Sequence, residues 1–138
     1  MKRARVVLIL ALLSTLVWSH LPAAGAKDAK PLEIGAQAPD FDLPGVDGKP
    51  YKLHDFDKAR VLVVIFTCNH CPTAQAYEER IKQMYADYRD KGVALVAINP
   101  NNPDAIRLAE LGYTDLSDSF DEMKIRAKEH GFLFPYLY

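Results

Sequence analysis

The sequence has few cysteines and no excess of charge of either sign. Two cysteines among 138 residues are too few for a disulfide-dense scaffold or for a zinc site built from four cysteines. Seventeen basic residues stand against eighteen acidic ones, and this balance disfavours a nucleic-acid-binding protein, which needs a large positive excess. Apolar residues make up 49% and charged residues 25% of the chain, which excludes a disordered or fibrous protein and indicates one globular domain.

The N-terminal pattern predicts export. Three basic residues occur within the first five positions, and an apolar run then covers residues 6–18. This run is shorter than the roughly 20 residues that a transmembrane helix needs. The small residues of Ala24-Gly25-Ala26 follow it and fit a signal-peptidase site. We therefore predict a cleaved signal peptide over residues 1–26 and a soluble product, periplasmic or secreted, without stable membrane insertion.

The rest of the chain is predicted to be a short linker followed by one domain. Residues 27–38 contain small and charged residues and one proline, which is typical of a linker. Residues 39–138 alternate strand-like and helix-like patterns and form the predicted domain. Export would place both cysteines in a compartment where disulfides persist.

Two unbroken apolar runs predict buried strands on either side of a helix. The runs are Val61–Phe66 and Val93–Ile98, and such runs are typical of strands buried on both faces of a parallel or mixed sheet. Between them, five apolar residues recur at intervals of three and four and predict a core-facing helical stripe, with Gly92 as the stop. The five residues are Ala74, Tyr77, Ile81, Met84 and Tyr88.

The flanking segments add a hairpin and further helices. Asp47-Gly48 lies between two alternating segments and predicts a small hairpin turn. Residues 104–111 fit a short helix that follows the second strand. Ser119 and Glu122 fit a capping box, which predicts the start of another helix at this point.

The chain ends in a strand-like pattern. Gly131 is predicted to end the last helix, and residues 132–138 are predicted to begin another strand. The alternation of strands and helices predicts an α/β fold with a parallel core and helices on its faces. Because the pattern runs to the last residue, we expect the sequence to be incomplete at its C-terminus.

Cys68 and Cys71 lie where the first buried strand gives way to the helix. Amides in the first turn of a helix lack partners and the helix dipole is positive there, so both stabilise a thiolate. We expect the pKa of Cys68 to be lowered, so that Cys68 attacks a disulfide and Cys71 resolves the mixed disulfide. A cationic His70 would lower the pKa of Cys68 further and make the pair more oxidising.

Alternative roles for the cysteine pair stay open. A structural disulfide is one, although so short a loop constrains the unfolded chain little. Half of a zinc site is another, but His54 and His130 lack ligand spacing with the cysteines and are predicted to be surface residues. Attachment of haem is disfavoured because Pro72 stands where a histidine would be needed.

Several other residues are given no chemical role. The tyrosines and the methionine of the helical stripe are predicted to lie in the core rather than against a cofactor. The acidic group of Asp118, Asp121 and Glu122 is interpreted as a solvated helix start. Residues 99–103 are predicted to form a loop because they contain two prolines and three asparagines.

A set of motifs resembles the redoxin branch of the thioredoxin-like superfamily, which includes relatives of alkyl hydroperoxide reductase and thiol-specific antioxidant. The resemblance implies a thioredoxin-like fold, with a central mixed sheet and helices on both faces, in which Cys68 attacks and Cys71 resolves. It also implies that a C-terminal hairpin and helix, and a cis-proline, lie beyond the last residue. The motifs are Ala38-Pro39-Asp40-Phe41-x-Leu43, then Asp47-Gly48, then Cys68-x-x-Cys71-Pro72.

The same resemblance disfavours a peroxidase. Peroxiredoxins have Pro and Thr seven and three residues before the peroxidatic cysteine, where this chain has Val61 and Ile65 before Cys68. The Cys-x-His-Cys pattern, in contrast, resembles the site of periplasmic disulfide oxidases.

The sequence therefore predicts an exported thiol–disulfide oxidoreductase that needs no cofactor. Its expected partners are protein or small-molecule thiols and disulfides, together with a redox partner protein. A thiol peroxidase is the alternative within redox chemistry. A Cu(I)-binding chaperone module is the alternative from another class, because soft thiolates suit that ion.

Overall fold

The computed structural model describes residues 30–138. The predicted signal peptide over residues 1–26 and the start of the predicted linker lie outside the described residues. Residues 37–138 form one compact unit, and residues 30–36 contain a single turn. Among residues 30–138, we find no helix with the length and apolar character that crossing a bilayer requires.

Five strands, two α-helices and four short 3₁₀ helices make up the described chain. The 3₁₀ helices cover Leu53–Phe56, Arg89–Lys91, Pro103–Ala105 and Leu111–Tyr113. The strands are β1 (Asp42–Pro44), β2 (Pro50–Lys52), β3 (Val61–Phe66), β4 (Val93–Ile98) and β5 (Tyr136–Leu137), and the α-helices are α1 (Pro72–Tyr88) and α2 (Phe120–Glu129).

The main sheet is parallel and has β4 at its centre. β3 pairs with β4 in parallel along its whole length, from Val61 opposite Val93 to Phe66 opposite Ile98. β5 pairs in parallel with the other side of β4, so the strand order is β3-β4-β5. The predicted strand–helix–strand unit is therefore confirmed, because α1 connects two parallel neighbours.

The hairpin of β1 and β2 is a separate antiparallel sheet that packs against the main sheet. A single antiparallel bridge joins Gly45 to Leu137. Successive residues of β4 face opposite sides, as the period of a strand requires. Leu95 and Ala97 face a core shared with both α-helices, whereas Val96 and Ile98 face the hairpin and the first 3₁₀ helix.

The predicted α/β fold is confirmed, but the layers differ from the expectation of helices on both faces. Both α-helices of the described chain pack on one face of the sheet. The opposite face is covered by apolar side chains of the hairpin and the first 3₁₀ helix, such as Leu43, Tyr51 and Phe56. These residues bury the second face of β4 without a helix.

The predicted helix boundaries follow local chemistry. Pro72 occupies the first position of α1, where a missing N–H costs nothing. Gly92 adopts φ +78° after α1 and its 3₁₀ extension, and a Cβ there would lie 2.9 Å from Arg60 Nε. Ser119 caps α2 by accepting a hydrogen bond from the backbone N–H of Glu122. Gly131, with φ +64°, follows the end of α2 as predicted.

Three local expectations were wrong. Residues 104–111 do not form one helix; Pro103–Ala105 is a 3₁₀ turn that Asn102 caps, and a second 3₁₀ helix begins only at Leu111. The last strand is limited to Tyr136–Leu137, because Pro135 has no N–H and uses only its carbonyl to pair with β4. Tyr77 and Tyr88 are half exposed rather than core residues, although Ile81 of the same stripe is buried.

Candidate active site

The candidate site lies at the carboxyl end of the main sheet. β3 and β4 are parallel and in register, so the loops that follow them emerge side by side. Residues 67–71 follow β3, and residues 99–101 follow β4. Ligand and reaction sites of open α/β sheets commonly lie at this edge, because loops from neighbouring strands converge there.

The two cysteines occupy opposite ends of the first of these loops. Cys68 follows β3 after one residue, and Cys71 is the N-cap of α1 with extended backbone angles. Both cysteines are free thiols of intermediate exposure. Each thiol is among the groups that shift the pKa of the other, so the two side chains are neighbours at the start of α1.

The environment shifts the two thiols in opposite directions. The backbone N–H groups of Ala74 and Thr73, in the first turn of α1, lower the pKa of Cys71. Burial raises the pKa of Cys68, and the nearby negative charge of Asp118 raises it further. The N–H of Cys71 hydrogen-bonds to Cys68 and opposes this rise only in part.

The expected lowering of the Cys68 pKa is therefore wrong, and the lowered pKa belongs to Cys71. The physical reason is where α1 begins. Because Pro72 is the first helical residue, Cys71 is the N-cap, and the free amides of the first turn lower its pKa rather than that of Cys68.

His70, between the two cysteines, is hydrogen-bonded to Asp118. Its Nδ1 lies 2.7 Å from Oδ2 of Asp118, which is fully buried. The imidazole side chain itself is only 18% exposed. His70 is thus a member of a hydrogen-bonded cluster, and its predicted role in tuning the cysteines stays a prediction.

Asp118 is the centre of that cluster. Its Oδ1 accepts hydrogen bonds from the backbone N–H groups of Asn69, at 2.7 Å, and His70, at 3.3 Å. Its Oδ2 also accepts a 2.7 Å bond from Nδ2 of Asn101, in the loop after β4. The carboxylate therefore ties together the two loops at the end of the sheet.

The interpretation of Asp118 as part of a solvated helix start was wrong. Asp121 is exposed as expected, but Asp118 lies inside the protein beside Ser119, the N-cap of α2. A buried carboxylate needs hydrogen-bond donors, and the turn before the helix brings it to the amides of the cysteine loop. Nothing in the local sequence distinguishes Asp118 from its exposed neighbours.

Asparagines of the two loops were also missed. Asn69 is buried, donates from Nδ2 to the carbonyl oxygen of Ser117, and accepts a 3.1 Å bond from the Tyr136 hydroxyl. Asn99 is buried as well and accepts a bond from the backbone N–H of Asn101. A signal for Asn99 was available, because a polar residue directly after a buried strand lies at the functional edge of such a sheet.

A mostly apolar cavity of about 680 Å³ opens beside the cysteines. Residues of β3 and α1 line it, together with Pro100 and Asn101 of the second loop. Tyr77 and Met84 of the helical stripe belong to this lining, so Tyr77 contacts the cavity rather than a closed core. The arrangement gives a thiol pair with an adjoining surface for apolar groups.

One group of side chains in the described part of the chain has metal-binding residue types at short range. Ligand atoms of Cys68, His70 and Asp118 lie within 4.8 Å of one another. Both oxygens of Asp118 already accept hydrogen bonds, so the carboxylate is satisfied by protein donors. His54 pairs with Asp55, and His130 pairs with Glu78.

Comparisons with known proteins identify the family and the fold. The sequence model of the AhpC/TSA family matches residues 34–138. A thiol-disulfide oxidoreductase, ResA, of Bacillus cereus is 29% identical over 100 residues, which cover 72% of this chain and 57% of the relative. The chain therefore spans about half the length of the curated relatives that it matches.

Solved structures show the same fold. An uncharacterised conserved protein of Geobacillus kaustophilus is 39% identical with a TM-score of 0.65, over 80% of this chain and 53% of that one. A thiol:disulfide interchange protein of the thioredoxin family, from Chlorobium tepidum, has a TM-score of 0.52 at 20% identity, over 80% of this chain and 61% of that one. The second likeness shows a thioredoxin-like fold.

Proposed function

The chain belongs to the AhpC/TSA family, and we propose that it is an exported thiol–disulfide oxidoreductase whose reactive groups are Cys68 and Cys71. The single observation that supports this most strongly is the pair of free thiols in the loop between β3 and α1, with Cys71 as the N-cap of the helix. Curated relatives of the chain are thiol-disulfide oxidoreductases, and the family match over residues 34–138 includes both cysteines.

The proposed reaction is a pair of thiol–disulfide exchanges. The Cys68 thiolate forms a bond to one sulfur of a substrate disulfide, and the other sulfur leaves as a thiolate that takes up a proton. The Cys71 thiolate then attacks the Cys68 sulfur and releases the second substrate thiol. The substrate gains two electrons and two protons, and an external dithiol protein returns the pair to its reduced form.

The contacts of Cys71 suit the resolving step. The backbone N–H groups of the first turn of α1 lower the pKa of Cys71. A larger thiolate fraction at neutral pH speeds attack on a neighbouring disulfide. The mixed disulfide formed on Cys68 would therefore have a short lifetime.

The cavity beside the cysteines suits a protein substrate. Its mostly apolar lining would receive apolar side chains that flank the substrate disulfide. Residues Phe66 and Tyr77 are 70% and 50% exposed on this surface, so they are available for contact. Protein disulfides are the substrates that this surface supports best.

Export is part of the proposal, and the N-terminal sequence supports it. Residues 1–26 have the order of basic, apolar and small-residue regions that signal peptides have. A compartment that permits disulfides gives a dithiol protein substrates to act on. The domain is proposed to follow a linker over residues 27–38.

Reduction of insulin disulfides tests the proposed reaction. The wild-type protein with a dithiol reductant should speed the precipitation of reduced insulin chains. Cys68→Ser and Cys71→Ser should each fall to the rate of the reductant alone, as should wild-type protein alkylated at both thiols.

Two results would contradict the assignment. Full activity in either serine variant would remove the pair from the mechanism. Consumption of hydrogen peroxide faster than by free cysteine, without insulin reduction, would move the protein to the peroxidases.

A further inference from the structure

We propose that Arg80 determines substrate specificity, by selecting disulfides that have an acidic residue about four positions from the reacting cysteine. The inference rests on the proposed disulfide exchange and names the class of its substrate. That class is a protein or peptide disulfide whose flanking segment is apolar next to the cysteine and acidic beyond it. Arg80 touches no reacting atom in this scheme and acts by binding the flanking segment.

The first support is the position of Arg80 on the wall of the cavity. The cavity begins at the cysteines and follows α1 as far as Met84, and Arg80 is part of its lining. Arg80 is nine positions after Cys71, which is about 14 Å along the helix axis. An extended chain covers this distance with about four residues. A substrate segment that follows the cavity from its disulfide therefore reaches Arg80 after about that number of residues.

The second support is the charge of the cavity lining. Among the described residues that line the cavity, Arg80 is the only basic one, and none is an aspartate or a glutamate. In the described part of the chain Arg80 forms no salt bridge, whereas Lys82 of the same helix pairs with Glu79. The residues three and four positions from Arg80 include no acid; they are Ala76, Tyr77, Gln83 and Met84. Its positive charge therefore complements an anionic group that enters the cavity.

The third support is the contact between Arg80 and Tyr77. Cζ of Arg80 lies 4.9 Å from the centre of the Tyr77 ring, which also lines the cavity. This contact restricts the guanidinium without neutralising it, because the ring has no net charge. A guanidinium binds a carboxylate through two parallel N–H···O bonds, and a restricted one loses less freedom when it does so. The geometry thus suits recognition of a carboxylate at the edge of an apolar surface.

Single-turnover exchange with synthetic peptides tests the proposal. Each peptide has blocked termini and one cysteine in a mixed disulfide with 2-thiopyridine. The fourth residue from this cysteine is glutamate, glutamine or lysine, and the residues between are apolar. One set of peptides has the variable residue before the cysteine, and a second set has it after the cysteine.

The reaction is followed by the absorbance of its first product. The Cys68 thiolate attacks the peptide sulfur and releases pyridine-2-thione, and the Cys71 thiolate then releases the peptide thiol by forming the Cys68–Cys71 disulfide. The reduced protein is kept in excess over the peptide. Rates at several protein concentrations give the maximal rate and the half-saturating concentration separately.

The wild-type protein should prefer the glutamate peptide. In at least one set, its half-saturating concentration should be about fivefold lower than that of the glutamine peptide, as expected for one ion pair at a surface. The lysine peptide should bind most weakly. The maximal rates should be equal, because Arg80 contacts the flanking segment and not the disulfide. The preference should disappear at about 1 M salt, where the Debye length is about 3 Å.

Two substitutions of Arg80 separate recognition from a structural role. Arg80→Gln should remove the preference, and Arg80→Glu should reverse it, so that the lysine peptide binds better than the glutamate peptide. A merely structural role would change the binding of all three peptides alike and would give no reversal. Arg89→Gln is the matched control, because Arg89 lies 5.8 Å from the centre of the Tyr85 ring at the end of the same helix and does not line the cavity. It should keep the wild-type preference.

The outcomes keep the two proposals distinct. Equal binding of the three peptides by the wild-type protein, or a preference that survives in Arg80→Gln, would overturn the role of Arg80 while insulin reduction still supported the proposed function. Self-association of the wild-type protein that Arg80→Gln abolishes would assign this surface to a second copy of the chain, and would also overturn the inference. A wild-type protein that neither reacts with any peptide nor reduces insulin would overturn the proposed function, and this inference with it.

Discussion

At the scale of single residues, the two cysteines differ in the neighbouring groups that stabilise or destabilise a thiolate. Cys71 is contacted by N–H groups of α1 and by the Thr73 hydroxyl, and these contacts lower its pKa. Cys68 is buried beside Asp118, and its pKa is raised. The two cysteines are three positions apart, yet their pKa values are shifted in opposite directions, because only Cys71 caps the helix.

The Thr73 hydroxyl gives a prediction about Cys71. Thr73→Val keeps the size of the side chain and removes one hydrogen-bond donor to the sulfur, so the pKa of Cys71 should rise. A net loss of about 1 kcal/mol corresponds to about a fivefold fall in the rate of Cys71 alkylation at neutral pH. The rate is measured in a Cys68→Ser background with iodoacetamide.

Thr67→Val serves as the matched control, because Thr67 is the first residue of the same loop and is not among the groups that shift the pKa of Cys71. Its backbone N–H, which the substitution keeps, donates to the carbonyl of Ile98. Its profile should coincide with that of the parent. Equal profiles for Thr73→Val and the parent would show that the hydroxyl does not stabilise the thiolate.

Sequence reasoning found the site residues that are close together in the chain and missed the distant one. Cys68, His70 and Cys71 fall within four positions, so one motif indicated them. Asp118 is separated from His70 by 48 residues, and its partners become visible only when the loops meet in space. Its neighbours Asp121 and Glu122 have the same side-chain chemistry, so local sequence could not identify the buried member.

At the scale of elements, α1 and α2 are joined by a buried ionic cluster. Oε1 of Glu78 on α1 lies 2.7 Å from Nε of Arg126 on α2, and Oε2 lies 2.8 Å from Nδ1 of His130. The side chains of Glu78 and Arg126 are each only 8% exposed. The cluster fixes the helix that carries Cys71 against the helix that follows Asp118.

Removing the charge of Glu78 should therefore destabilise the protein strongly. Glu78→Gln leaves Arg126 buried without an anionic partner, and loss of one partner from a buried pair costs about 3 kcal/mol. Urea unfolding measures the change. Glu79→Gln, whose exposed carboxylate pairs with Lys82 on the same helix, should change the free energy of unfolding by less than about 0.5 kcal/mol.

A loss of stability for Glu78→Gln as small as that for Glu79→Gln would contradict the expected role of the cluster.

The positions of the helices were predictable from the sequence, since Pro72, Gly92 and Ser119 mark helix ends by local chemistry. Which helix faces met could not be predicted, because Glu78 and Arg126 occupy positions that a sequence pattern assigns to the wet side.

At the scale of the whole molecule, the buried Tyr136 links the sheet to the site. Tyr136 of β5 is 1% exposed, and its hydroxyl donates to Oδ1 of Asn69 in the cysteine loop. Burial raises the pKa of Tyr136, and burial together with Asp47 raises the pKa of Tyr51 in the hairpin to about 12. Both faces of the sheet thus hold tyrosines that are favoured in the neutral form.

The main strands and the thioredoxin-like fold followed from the sequence, whereas the layer arrangement did not. Val61–Phe66 and Val93–Ile98 are apolar throughout, so the two strands were predictable, but burial on both faces holds for β4 alone. The same expectation was wrong for β3, which exposes Val61, Val64 and Phe66. The sequence did not show what covers each face. A hairpin with Leu43 and Tyr51 covers the second face of the sheet as well as a helix would. The hydrophobic effect depends on the apolar area that is buried and not on the kind of element that buries it.

The raised pKa values of Tyr136 and Tyr51 predict that the protein loses stability in alkaline solution. An acid whose pKa is higher in the folded than in the unfolded state gives stability that is present below the unfolded pKa, about 10 for tyrosine. That stability is lost as the pH rises through the folded pKa. The raised pKa of Cys68 acts in the same direction in the reduced protein, and the lowered pKa of Cys71 opposes it.

Urea unfolding of the reduced protein from about pH 8 to about pH 11 measures this loss. Tyr136→Phe should lower the free energy of unfolding at neutral pH by about 1 kcal/mol, because it leaves Oδ1 of Asn69 without its donor. The same variant should lose less stability between neutral and alkaline pH than the wild type, because one ionising group is gone. A parallel loss in both proteins would show that the Tyr136 hydroxyl does not contribute, and that the link between β5 and the cysteine loop is packing alone.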